Sequence, residues 1–166
     1  PQPSPPFRQE PLVSTLEAYF QGKKDLFGGL AMERWEKDWE SYLVLHIDFS
    51  LTKYMELTDL TGQLNLFLHR WEKIYGKDEA EKTASERLQG IILRASEQIG
   101  KQVVVLIDEY DAPLLDSNSD TALQQQLRNE MRKFFSPPQE VGAVSSLSLH
   151  HRHQQVQPTE HLQRTE

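Results

Sequence analysis

The chain has 166 residues, 37% of them hydrophobic, and 25 acidic against 18 basic side chains give it a net charge of −7; this suits one core, since single domains run to roughly 100–200 residues. The charge, with a pI near 5.4, counts against broad attraction to nucleic-acid phosphates. The absence of cysteine excludes disulfides and thiolate metal sites, and no apolar run approaches the ~20 residues of a membrane span, so a cytoplasmic address without membrane contact is expected.

The two ends differ in composition from the middle. Residues 1–11 carry five of the nine prolines, and residues 137–166 are polar and hold four of the six histidines. Residues 12–136 are therefore expected to form the domain, with disordered segments on either side. Leu12, Leu16, Tyr19 and Phe20 recur at helical spacing and predict a helix over residues 12–21, stopped at Gly22. After the turn signal Gly28-Gly29, Trp35 and Trp39 lie four apart and read as packing aromatics on another short helix.

Residues 42–50 (YLVLHIDFS) form a nearly continuous apolar run and predict a strand covered on both faces. Leu57, Leu60, Leu64, Phe67, Leu68, Trp71 and Ile74 trace one helix stripe that ends at Gly76. Ala84, Leu88, Ile91, Ile92, Ala95 and Ile99 trace a second that ends at Gly100. Residues 103–107 (VVVLI) are the most β-prone run in the chain and break into the acidic turn Asp108-Glu109-Tyr110-Asp111 before Pro113. Leu123, Leu127, Met131 and Phe134 give a last helix, capped by Ser119 or Asp120 and closed by Pro137-Pro138. Helices alternating with strands in this order predict an α/β layer fold with a parallel sheet.

Four or more apolar strand residues followed by Asp-Glu match a Walker B element, here ending at Asp108 and Glu109. Ligands of open α/β sheets bind beyond the carboxyl ends of the strands, where this pair would sit. Asp108 would hold Mg²⁺, usually through water because that ion dehydrates reluctantly. Glu109 would polarise the water that attacks the γ-phosphate of ATP. The blander alternative is a buried strand that simply ends in a solvated acidic turn.

The longer string VVVLIDEYDAPLLD (residues 103–116) resembles the Walker B signature of the bacterial AAA-ATPase-like family, whose longer members often carry a restriction-nuclease-like domain C-terminally. STLEAYFQGKKDLFGGLAM (14–32), LVLHIDFS (43–50), IYGK (74–77) and LRNEMRKFFSP (127–137) agree with it, so the resemblance covers residues 12–142. It implies a partial three-layer P-loop NTPase fold with Mg²⁺ and ATP as cofactor and ligand, Asp108 on the metal and Glu109 on the water. Asp111 and Asp116 belong to the same motif and shape the acidic turn. His46 and Asp48, two apart on one strand face, are assigned structural roles, with reach to the site as the alternative.

One departure from the family pattern is decisive for activity. The family has a glycine-rich loop ending in Gly-Lys-Ser before the first helix, because backbone amides, lysine and hydroxyl together hold phosphate and metal. This chain has Phe7, Arg8, Gln9, Glu10 and Pro11 there. Glu10 repels phosphate, Pro11 lacks an amide donor, and Arg8 alone cannot rebuild the nest, so the Walker A loop and its leading strand are read as missing and residues that bind the nucleotide cannot be assigned. If residues 4–11 are written TCC CCG CCG TTT CGG CAA GAG CCT, reading one base later gives Pro-Arg-Arg-Phe-Gly-Lys-Ser. The same offset over residues 149–166 yields a hydrophobic stretch ending in Thr-Gly. Both ends are accordingly expected to be out-of-frame translations around an in-frame fragment, inactive as it stands.

Without its leading strand, the run at 103–107 is expected to expose one unpaired edge. His150, His151, His153 and His161 have no thiolates, no predicted scaffold and no supporting hydrogen-bond partners, and read as polar tail, not a metal site. Two other functions remain open on the residues: a protein-interaction module that uses its acidic sheet edge and helices without nucleotide, and a metal-dependent nuclease built on Asp48, Asp108 and Glu109. Against the nuclease, Lys101 precedes the strand instead of following the acids.

Overall fold

The computed structural model describes residues 12–136 and the backbone of residues 145–148. In chain order these form α1 (Leu12–Phe20), a 3-10 turn (Lys24–Phe27), α2 (Ala31–Trp35), β1 (Leu43–Asp48), a second 3-10 turn (Phe49–Leu51), α3 (Leu57–Tyr75), α4 (Ala84–Ile99), β2 (Val103–Asp108), α5 (Ala112–Asp116), α6 (Thr121–Phe135) and β3 (Ser145–Ser148). The fold is mixed α/β with a parallel sheet in the order β1-β2-β3, the class that the alternation of helical and extended patterns predicts. Parallel neighbours need crossover connections, and α3 with α4 supplies the one from β1 to β2.

Alternation along the strands sorts the side chains into two layers of packing. Leu45 and Ile47 of β1 and Val103, Val105 and Ile107 of β2 join one buried cluster with Leu60, Leu64, Phe67 and Leu68 of α3, Leu88, Ile91 and Ala95 of α4, and Leu127, Met131 and Phe134 of α6. Val104 and Leu106 point the other way and are also buried, on the face where α1 contacts both strands and sinks Val13 and Ala18. Burial on both faces explains why β2 has no polar residue before its end, and each fully buried aliphatic side chain contributes about 1.5–3 kcal/mol.

The helix ends follow local chemistry. Thr83 and Glu86 form a reciprocal capping box at the start of α4, and Gly100 closes it in the left-handed conformation at φ 68°. Of the two candidate caps for α6, Asp120 is the one used, its carboxylate accepting a hydrogen bond from the Leu123 N–H at 2.9 Å. Proline in the first turn starts α5 directly after the acidic turn 108–111, over residues for which the sequence pattern predicts no helix.

Three expectations need correcting. The open edge expected along β2 is absent, because Val104 to Ile107 pair in register with Ser145 to Ser148 of β3, which satisfies backbone groups that a buried strand cannot leave unpaired. Those four residues come from the segment expected to be disordered. The helix expected to carry both Trp35 and Trp39 stops at Trp35, and Trp39 instead packs from irregular chain against Tyr19 and Phe27. Ile74 and Ile99, expected on buried stripes, are exposed in the last turns of their helices. The rest of residues 137–166, with the four tail histidines, and residues 1–11 lie outside the described residues.

Candidate functional site

The parallel register brings Asp48 and Asp108 side by side as partners at the carboxyl ends of β1 and β2. Each acid follows its strand's apolar residues by the same count, so both carboxylates leave the sheet on the α1 face, two residues beyond His46 and Leu106. From the sequence Asp48 is assigned a structural role, with reach to the site as the alternative. The register makes it the neighbour of the metal candidate, which spacing within one strand could not reveal.

Each of the two carboxylates also organises its own turn. Asp48 Oδ1 accepts a hydrogen bond from the Ser50 N–H at 2.8 Å and so caps the 3-10 turn after β1. Asp108 Oδ1 accepts one from the Glu109 N–H at 2.9 Å. Glu109 itself has φ 50°, the left-handed region that non-glycine residues seldom occupy. Such a conformation costs of order 1–3 kcal/mol and tends to occur where the chain must aim a side chain. Here it turns the backbone sharply at the end of β2, and α5 starts three residues later.

Other residues of the motif serve the turn. Asp111 offers its carbonyl to the Leu114 and Leu115 N–H groups, and its Oδ1 is shielded from solvent without a hydrogen-bond partner among the described residues. Asp116 reaches back across 62 residues, accepting from the Tyr54 N–H at 3.3 Å and pairing with Lys53 at 3.0 Å. This latch ties the loop after β1 to α5, so the two strand ends that carry the acids are held together from both sides. The Tyr54 hydroxyl donates to the Phe49 carbonyl at 2.9 Å. Burial, and then the negative charge of Asp116 and Asp48, raises its pKa, so it stays a protonated donor. Tyr110 packs against Phe135 at 5.9 Å between ring centroids.

The remaining candidates fall elsewhere. His46 sits on the α1 face of β1 with Nε2 shielded and without a hydrogen-bond partner among the described residues. Lys101 lies at the opposite end of β2 and donates to the Ser41 hydroxyl at 3.0 Å, so it is far along the strand from Asp108. Among the described residues no group of three His, Cys, Asp or Glu side chains is placed to hold a metal ion. The donor set of Asp108 with Asp48 is therefore unsuited to an all-protein cage, but it fits an ion held by one or two carboxylates and its own waters, the usual mode for Mg²⁺. No helix of the described residues is long and apolar enough to cross a membrane.

Comparison with known proteins shows the family. An uncharacterized protein encoded in the vnfD 5′ region of Azotobacter chroococcum mcd 1 is 31% identical over 132 residues, which cover 78% of this chain and 25% of that protein. The chain thus spans about a quarter of the length of the curated relative it matches. No solved structure matches it. The family model described as "Predicted AAA-ATPase" matches residues 7–147, and on the extent of that match the chain belongs to the AAA-ATPase-like family.

Proposed function

We propose that Asp108 and Glu109 are the acidic half of an ATP site on a P-loop core, and that this chain by itself turns over little or no ATP. The observation that carries the reading is the position of two adjacent acids at the carboxyl end of a buried parallel strand, the end at which open α/β sheets take ligands. Membership of a predicted ATPase family supports it. A bound Mg²⁺ would supply charge neutralisation for the β- and γ-phosphates. Asp108, with Asp48 beside it, would accept hydrogen bonds from the water shell of such an ion. In a complete site Glu109 would orient the attacking water and take its proton, and the left-handed backbone at φ 50° sets where that carboxylate is aimed.

The phosphate-binding half is what residues 7–11 do not provide. Phe7, Arg8, Gln9, Glu10 and Pro11 contain neither the lysine nor the glycines of an anion nest, which supports reading this segment as translated out of frame. The gene sequence tests that part: codons over residues 4–11 that cannot yield Gly-Lys-Ser on a one-base offset remove it.

The acidic half is tested separately with Mn²⁺, an ion that shares the oxygen preference of Mg²⁺. Titrated into the isotopically labelled chain, it is expected to broaden the amide signals of Asp48, Asp108 and Glu109 first, and Asp108→Asn to abolish this. Broadening that leaves these residues sharp would overturn the assignment. Labelled ATP is expected to show no submillimolar binding. Submillimolar, Mg²⁺-dependent binding lost in Asp108→Ala would instead show an active site and refute the proposed inactivity.

A further inference from the structure

A concavity lies away from the strand ends. Tyr19 of α1 and Glu36, Asp38, Trp39, Glu40 and Tyr42 of the irregular chain between α2 and β1 enclose about 240 Å³. That is below the roughly 300–1,000 Å³ of pockets for drug-sized ligands, so the space suits a small head group and not a nucleotide.

Its walls combine two features that ask for the same ligand. Tyr19 and Trp39 stand edge to face at 5.8 Å between centroids, and Phe27 backs Trp39 at 5.1 Å, so the aromatic wall is fixed by ring packing. Three carboxylates share the lining, and none of them forms an ion pair among the described residues. Two are held in place: Glu36 accepts from the Tyr19 hydroxyl at 2.6 Å and from the Asp38 N–H at 3.2 Å, and Glu40 accepts from the Tyr42 hydroxyl at 2.9 Å. Those hydrogen bonds raise the pKa of both tyrosines, first through the bond itself and then through burial, so the phenols remain neutral donors. Trp39 Nε1 is shielded and has no hydrogen-bond partner among the described residues.

Aromatic faces attract cations through their quadrupole and attract organic cations best, because an alkylammonium or guanidinium group sheds water more easily than a small metal ion. A hard divalent ion would need a closer set of oxygen donors, and among the described residues none is placed to form one. From the pairing of an aromatic wall with three uncompensated carboxylates, we propose that this pocket binds an organic cation, an alkylammonium or guanidinium head group. The same chemistry is offered by a free amine and by a lysine or arginine side chain of a protein partner. The inference does not depend on the ATP reading, because the pocket shares no residue with Asp48, Asp108 or Glu109.

The test reads the Trp39 indole N–H signal of the isotopically labelled 166-residue chain, assigned by its loss in Trp39→Phe, with the Trp71 indole as internal control. Tetramethylammonium chloride and butylammonium chloride probe the free-amine source, and blocked Gly-Lys-Gly and Gly-Arg-Gly peptides probe the side-chain source. Sodium chloride at equal ionic strength and tert-butanol are the controls. At least one cationic probe is expected to shift the Trp39 signal saturably, and whichever class binds more tightly names the source. Glu36→Gln/Glu40→Gln should weaken that probe about tenfold, about threefold for each solvent-accessible charge partner. Asp38→Asn, whose side chain makes no hydrogen bond among the described residues, gives a smaller loss and serves if the double variant does not fold. An equal response to tert-butanol or sodium chloride, or unchanged affinity in these variants, would overturn the proposal.

Discussion

Glu109 is, among the described residues, the non-glycine residue held at positive φ, and comparing two substitutions isolates the cost of that conformation. Glu109→Gly and Glu109→Ala remove the same carboxylate and the same side-chain interactions, and both keep the backbone N–H that donates to Asp108 at 2.9 Å. They differ in one methyl group. A Cβ in the left-handed region costs about 1–2 kcal/mol, whereas glycine loses about 0.5–1 kcal/mol more backbone freedom on folding. The glycine variant is therefore expected to be the more stable by about 0.5–1 kcal/mol, which for a domain of this size shifts Tm by about 2–4 °C per kcal/mol. Urea unfolding followed by far-UV circular dichroism measures the difference, provided both variants show the same m value. An alanine variant as stable as the glycine variant, or more so, would mean that Glu109 is not held left-handed in solution, and the aim assigned to its carboxylate would lose its basis.

Three further outcomes check the scaffold. Arg87 holds the buried Glu72 carboxylate with two hydrogen bonds at 2.6 and 2.9 Å, so Arg87→Ala should cost about 3 kcal/mol by leaving that acid unpaired. The hydrogen bonds from Arg87, and then its charge, depress the Glu72 pKa below 4.5 against the opposing effect of burial. The stability this pair contributes is present above the unfolded value and is lost as pH falls through the depressed folded value; acid titration of Arg87→Ala should show a smaller loss over that range. Asp120→Ala removes the cap of α6 and should lower stability by about 1 kcal/mol in thermal unfolding. Lys53 is exposed, so Lys53→Ala should change stability by less than about 0.5 kcal/mol. Asp116→Ala also strips the Tyr54 N–H and should cost about 1–2 kcal/mol; equal effects of these two would refute the latch between the β1 loop and α5.

The sequence determined what depends on local pattern. The VVVLI run, the 3.6-residue stripes of α3, α4 and α6, the cap at Asp120 and the left-handed stop at Gly100 are encoded within a turn or two of chain, and they placed the elements and the α/β class. The acidic pair at the end of β2 was legible for the same reason, because an apolar strand that breaks into Asp-Glu is a short contiguous string. Tertiary structure decided what depends on residues far apart. Strand register made Asp48 the partner of Asp108 across 60 positions, pairing with residues 145–148 gave β2 a second neighbour, and packing of α1 against the chain before β1 gathered Tyr19 with Trp39 and three carboxylates. The left-handed φ of Glu109 was equally hidden, since nothing in a glutamate calls for that backbone state. It is imposed where β2 must end beside β1 and α5 must begin, so it follows from how the elements meet and not from the residue itself.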